Sequence, residues 1–313
     1  VTVVDSSDPP PIDAAAAPPI NAVPLRHPWR WAGAAVLIVL VGLFIYGAAT
    51  NEAYGWSTYG EYLFNHRILL GVSNTLQLTV YAMALGVALG IVLSVMRLSP
   101  NPVLQSVAWV FLWMFRGTPV YVQLVFWGLI PTIYQNIQIG VPFGPSLFHL
   151  NLQSLSIPFL LAVIGLGLNE AAYMAEIIRA GITSVPEGQS EASMALGMSW
   201  GMTMRRTVLP QAMRVIIPPT GNELISMLKT TSLVTAVPYS YDLYSIASRE
   251  IAARIFEPVP LLLVAATWYL IITSVLMVGQ YYLEKYFSRG ISRQLTSKQL
   301  DALAKAQIEA GHV

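Results

Sequence analysis

Apolar runs about 20 residues long recur along this chain, and each is long enough to cross the hydrocarbon core of a bilayer as a helix. Six such runs are found: Trp31 to about Ala49, about Ile68 to Met96, Val103 to Pro131, Ile157 to Ala180, Ala212 to Val237, and Pro260 to Leu283. The third is interrupted by "RGTP" and the fifth by "PPTG". No water reaches the middle of a bilayer, so backbone groups there must bond within the protein, which leaves helices or closed barrels. The spacing and length favour helices. Only 11% of the residues are charged and 55% are hydrophobic, whereas a soluble domain carries about 25% charged residues. The expected fold is an all-α integral membrane protein with six transmembrane helices.

Charge placement orients the spans. With the amino terminus in the cytoplasm, twelve Lys and Arg residues fall on the inner side, among them Arg97, Arg205, Arg206 and Arg214. Arg67, Arg249 and Arg254 fall on the outer side. Both termini are therefore expected in the cytoplasm. The stretch before Pro28 is rich in Pro, Ala and Asp without hydrophobic periodicity, and reads as a disordered tail. The tail after Ser288 carries "SKQLDALAKAQIEA", whose apolar spacing suits a short amphipathic helix.

A net charge of +1 gives no field for nucleic acid. The chain has no cysteine and no H-E-x-x-H run, so thiolate sites and a zinc hydrolase have no support, and no metal or cofactor is expected. There is also no G-x-x-x-x-G-K-[ST] loop, so ATP hydrolysis by that route is not expected of this chain.

The longest inner loop, "VPEGQSEASMALGMSWGMTMRRTVLPQAM", is far longer than an ordinary connection. A helix starting at Gln189–Glu191 is expected to end at Gly197, which turns the chain into a second short helix stopped near Pro210. Two short helices with exposed Met and Trp make a knob suited to a groove on another protein.

This run resembles the cytoplasmic E-A-A loop of membrane permease subunits in bacterial ABC importers. The pattern is E-A-A, three residues, Gly, nine residues, I-x-L-P. Here Glu191, Ala192, Gly197, Leu209 and Pro210 stand at that spacing, with Ser193 in place of Ala and Thr207 in place of Ile. The runs "RGTPVYVQL", "AAYMAEIIRAGITSVPEGQ" and "GNELISMLKTTSLV" resemble the polar amino-acid branch of these importers. The resemblance spans about Ile68 to Tyr286. It implies a five-helix type I importer core (68–287, coupling loop 185–211), with the tails (1–28 and 288–313) and the first helix with its outer loop (29–67) as additions. It also implies a bacterial plasma membrane, a second permease subunit (identical or paralogous), two cytoplasmic ATPases that dock on the loop, an extracytoplasmic binding protein, and a polar amino acid as substrate. A self-contained secondary transporter or channel is the alternative; it commonly shows an internal repeat, and none is clear among the six spans.

Ionisable groups inside a span default to functional candidates. Pro218, Pro219 and Gly221 are expected to split the fifth span into half-helices, with Asn222 and Glu223 opening the second near mid-depth. A carboxylate there suits a substrate ammonium group, with Asn222 orienting it. Asn169 and Glu170 lie near mid-depth of the fourth span, with Glu170 open between pore lining and structural pairing. Glu176 is expected to pair with Arg179. Arg116 either attracts a substrate carboxylate or neutralises an acid such as Glu170. Lys229 either snorkels or holds an acid. Gly86 and Gly90 read as a close helix-packing pair.

Overall fold

The computed structural model describes residues 28–134, 136–140, 146–151 and 158–287. The expectations for both tails lie outside them. The chain forms two compact units, divided between Tyr54 and Gly55. The first holds α1 (Pro28–Thr50), a single apolar helix followed by a 3-10 turn at Glu52–Tyr54.

The second unit begins with a short helix, α2 (Trp56–Tyr62), and the long α3 (His66–Leu98), capped by the Asn65 side chain on the Arg67 amide. Two helices follow, α4 (Pro102–Gly117) and α5 (Val120–Ile133), then a short antiparallel hairpin of β1 (Asn136–Gly140) and β2 (Ser146–Asn151). The hairpin was not foreseen in an all-α reading. Next come α6 (Pro158–Thr183), α7 (Glu187–Ala195), α8 (Trp200–Thr203) and, after a π-helical turn at Met204–Val208, α9 (Leu209–Thr230). A 3-10 segment (Thr231–Ala236), α10 (Leu243–Ser245), a second π-helical turn and α11 (Ala252–Ile255) lead to α12 (Pro258–Phe287).

Among the described residues four helices are long and apolar enough to cross a membrane: Trp29–Thr50, His66–Leu98, Pro158–Thr183 and Pro258–Phe287. The third and fifth expected spans are built differently. The third is the pair α4 and α5, broken at Thr118–Pro119 where "RGTP" stood out in the sequence. Proline keeps the residue before it out of the helical region, and Thr118 is extended (φ −118°, ψ 145°).

The fifth span corrects the sequence reading. Here α9 runs through Pro218 and Pro219 without a break. Each proline removes the donor only from the carbonyl four residues back, Arg214 and Val215, both at exposed positions. Two further bonds brace this turn: Thr220 Oγ1 donates to Ile216 O (2.8 Å) and Gln280 Nε2 of α12 to Pro218 O (2.7 Å). Gly221 serves this contact rather than a hinge, because a side chain there would collide with the Gln280 carboxamide. Regular α-helix ends instead at Thr230.

The most extensive helix pairing among the described residues is that of α3 and α6, whose faces enter the central core with α9 through Leu78, Ala82, Leu166, Met174 and Ile216. Their approach is set by glycines. A Cβ at Gly90 would lie 2.6 Å from Met174 Cβ, and one at Gly167 would lie 2.7 Å from Leu85 Cδ2. A second core joins α3 to α10–α12 around Ile68, Leu243, Leu261 and Val264. A third joins α3, α4 and α6 through Leu93, Ala108, Leu112 and Ala172.

The long loop forms the expected elbow. Gly197 adopts φ 81°; its amide bonds Met194 O (2.9 Å) and the Met198 amide bonds Ser193 O (3.2 Å), the paired bonds of a Schellman motif. Two details differ from expectation. Helix α7 starts at Glu187 after Pro186, because proline presets the extended entry, and so Gln189–Glu191 lie inside it. Pro210 does not stop the second helix: the backbone stays helical from α8 through the π-helical turn at Met204–Val208 into α9, and Pro210 sits just after that turn. Replacing Gly197 with Val puts a β-branched residue at positive φ, a cost of about 1–3 kcal/mol. Gly197→Val is expected to speed tryptic cleavage at Arg205 and Arg206 by at least about fivefold. Gly201→Ala, where a Cβ meets nothing within 4 Å, is expected to leave cleavage unchanged.

Candidate functional site

Breaking the third span exposes carbonyls that the bilayer cannot solvate. Gln123, on the first turn of α5, answers this. Its Nε2 donates to Thr118 Oγ1 (2.8 Å), Phe115 O (2.9 Å) and Thr118 O (3.1 Å), while Thr118 Oγ1 donates to Met114 O (2.8 Å). Asn169 of α6 completes the knot, with Nδ2 donating to Phe115 O and to Gln123 Oε1, each at 3.1 Å. Asn169 thus fixes the break to α6. Gln123 went unnoticed in the sequence, where "VQL" looks like an apolar run with one polar residue. The signal was its position four residues after Pro119.

The knot forms one wall of a cavity of about 560 Å³ among α4, α5, α6 and α9. Arg116, Thr118, Asn169, Glu170, Tyr173, Glu223 and Thr230 line it. Of the residues singled out in the sequence, Arg116, Asn169, Glu170 and Glu223 meet here. Asn222 does not: one residue along a helix turns the side chain by about 100°, and Asn222 lines a separate cavity of about 420 Å³ beside Lys229, Gln280 and Glu284.

The charged groups in the cavity are not paired off. Glu170 is 4% exposed, and its Oε1 is buried with no hydrogen-bond partner among the described residues. Arg116 does not close on it. The guanidinium lies over the Tyr173 ring, 5.5 Å from the centroid, a cation–π arrangement. Glu176 pairs with Arg179 through a two-bonded contact, as expected, and stays out of the cavity lining. The cavity therefore presents two carboxylates toward a common space, with one guanidinium at its edge.

A second surface lies at the α7–α8 elbow. Leu196 and Trp200 are 84% and 72% exposed, and Glu191, Ala192, Leu209 and Pro210 are exposed as well. Beneath them Ser193 Oγ meets Thr207 Oγ1 at 2.8 Å and donates to Gln189 O at the same distance. Ser193 and Thr207 are the two departures from the importer loop pattern, and here they bond to each other.

Residues 86–289 match the family of binding-protein-dependent transport system inner membrane components. The chain belongs to this family. Within it, the chain is 64% identical over 290 residues to the arginine transport system permease protein ArgU of Corynebacterium glutamicum, covering 92% of this chain and 90% of that one. It is 38% identical over 210 residues to the histidine/lysine/arginine/ornithine permease protein HisM of Escherichia coli, covering 66% and 83%. Among solved structures it resembles an amino acid ABC transporter crystallised with histidines, with TM-score 0.60, 30% identity, and coverage of 76% and 99%. The methionine transporter MetNI shares the fold at 18% identity and TM-score 0.54. The inner-membrane family match agrees with the apolar spans, and the relatives are permease proteins of transport systems.

In this permease the Ser193–Thr207 pair makes a direct test possible. Each single change, Ser193→Ala or Thr207→Ile, removes one partner and leaves the other hydroxyl short of a bond. The double change replaces both and returns to the general family pattern. A double-mutant cycle on thermal unfolding is expected to give a coupling energy of about 1 kcal/mol, with the double variant close to wild type.

Proposed function

We propose that this chain is the membrane-spanning subunit of an ATP-driven importer and that it translocates an amino acid with a cationic side chain, of the arginine class. The observation that carries the reading is the cavity bearing Glu170 and Glu223, with Glu170 Oε1 buried and unbonded. Arginine offers two cationic ends, an ammonium and a guanidinium, and one carboxylate. The cavity offers two carboxylates and Arg116. An unpaired buried acid is costly, and a bound amino acid with two cationic ends supplies both charge and donors. The names of the relatives support the same class of substrate.

The family supports the following reading of the rest of the assembly. A substrate-loaded binding protein delivers from outside a bacterial plasma membrane, and a second permease subunit, identical or paralogous, completes the membrane unit. Two cytoplasmic ATPases dock on the elbow at Glu191, Ala192, Gly197, Leu209 and Pro210. The excess of Lys and Arg on the loop side supports a cytoplasmic loop and cytoplasmic termini. The family match starts at residue 86, which supports α1 as an addition to the transport core. The rival reading, a self-contained transporter, gains nothing from the relatives.

The test is arginine binding to the purified permease–ATPase complex without its binding protein. Glu223→Gln keeps the volume and removes the charge. A charge-assisted hydrogen bond contributes about 1.5–3 kcal/mol, so affinity is expected to fall roughly ten- to a hundredfold in a complex that still elutes as assembled. Unchanged affinity would leave Glu223 a structural acid and defeat the two-carboxylate reading.

A further inference from the structure

The stem of Glu170 packs into a gap in the surface of α3. The gap is Gly86, whose missing side chain is where the Glu170 stem lies. A Cβ at Gly86 would stand 2.5 Å from Glu170 Cγ and 2.7 Å from Glu170 Cβ, with the Gly167 carbonyl oxygen at 3.4 Å. Contacts under 3.0 Å are not tolerated, and the atoms met here belong to the first two carbons of the stem. Those carbons have far less room to yield than the end of a long side chain. Another Glu170 rotamer moves Cγ out of the way, whereas Cβ is fixed to the backbone and its contact is relieved only by a small separation of α3 from α6.

Gly86 therefore does something different from its neighbours on the same helix pair. A Cβ at Gly90 would meet the Met174 stem and backbone, and one at Gly167 would meet Leu85; neither Met174 nor Leu85 lines the cavity. Gly86 alone of the three lies against the stem of a cavity acid. The rotamer of Glu170 is not fixed by bonds to Oε1, since that atom has no hydrogen-bond partner among the described residues. What fixes it is packing, and on the α3 side the packing surface is Gly86.

We propose that Gly86 is a positioning residue for substrate selection: it leaves the space that aims the Glu170 carboxylate into the cavity, and so sets the preference for a cationic over a neutral side chain. The proposal rests on the reading of this cavity as the cationic amino-acid site. Gly86 touches no substrate and acts through Glu170. The smallest change that fills the space, Gly86→Ala, redirects the carboxylate and lowers discrimination more than it lowers general binding.

The experiment compares arginine with citrulline, which replaces the guanidinium by a neutral ureido group of nearly the same shape. Binding of each is measured on the full permease–ATPase complex without its binding protein, for wild type, Glu170→Gln, Gly86→Ala and Gly167→Ala. The arginine-to-citrulline affinity ratio is expected to fall about tenfold in Glu170→Gln, the loss of one charge-assisted bond. A similar fall is expected in Gly86→Ala. Gly167→Ala alters the same helix contact against a movable leucine and is expected to keep the wild-type ratio. A wild-type ratio in Glu170→Gln would overturn the site reading itself. A fall in Glu170→Gln with a wild-type ratio in Gly86→Ala would overturn only the positioning role. An equal fall in Gly167→Ala would reduce Gly86 to general packing and overturn it too. If Gly86→Ala does not assemble, the double variant Gly86→Ala/Glu170→Gly removes the stem that the new methyl group meets. It must then assemble, and its failure would show that Glu170 is not what the new methyl meets.

Discussion

A polar group in the middle of a bilayer must find its partner inside the protein, and the rest of this structure depends on how that is met at one place. The third span breaks at Thr118–Pro119. The carbonyls of Phe115 and Thr118 at the break are collected by Gln123, and Asn169 ties them to α6. The break gives the cavity its wall and places Arg116 at the edge. Remove the knot, and either the span heals into one helix that fills the space or unbonded carbonyls face hydrocarbon. The cavity is thus a consequence of hydrogen-bond satisfaction.

The second dependence is steric. Helices α3 and α6 approach closely enough that glycines at 86, 90 and 167 each leave room for atoms of the facing helix. Such contacts in membranes gain from dispersion and close backbone approach, since lipid gives apolar faces little reason to leave it. The same closeness that holds the bundle also presses the Glu170 stem into place. Fold and cavity therefore share atoms, because the contact that packs the two helices is made by the stem of a cavity acid.

Much of this was legible in the sequence, because the relevant signals were local. Apolar length gave α1, α3, α6 and α12. The left-handed turn at Gly197 followed from a glycine between two short helical patterns, and the break at "RGTP" from proline chemistry. The reading of Pro218–Pro219 failed for the opposite reason. Proline statistics are local, but the bond from Gln280 that braces this turn comes from a helix 62 residues away. Asn222 was grouped with Glu223 by adjacency, while a helix separates adjacent residues by about 100°. Gln123 was missed because its partners, Phe115 and Asn169, become neighbours only when α4, α5 and α6 pack. The pairing of Ser193 with Thr207 was likewise hidden: each read alone as a modest departure, and only the folded elbow shows that one accompanies the other.

The central claim is that the substrate site lies within a single chain, walled by α4, α5, α6 and α9, rather than between two permease subunits. Binding stoichiometry tests this most directly. Equilibrium dialysis of radiolabelled arginine against the purified permease–ATPase complex, without its binding protein, counts substrate molecules per copy of this chain at saturation. The account predicts one arginine per copy. A plateau at one per two permease subunits in a complex of identical copies would place the site between the subunits and contradict it.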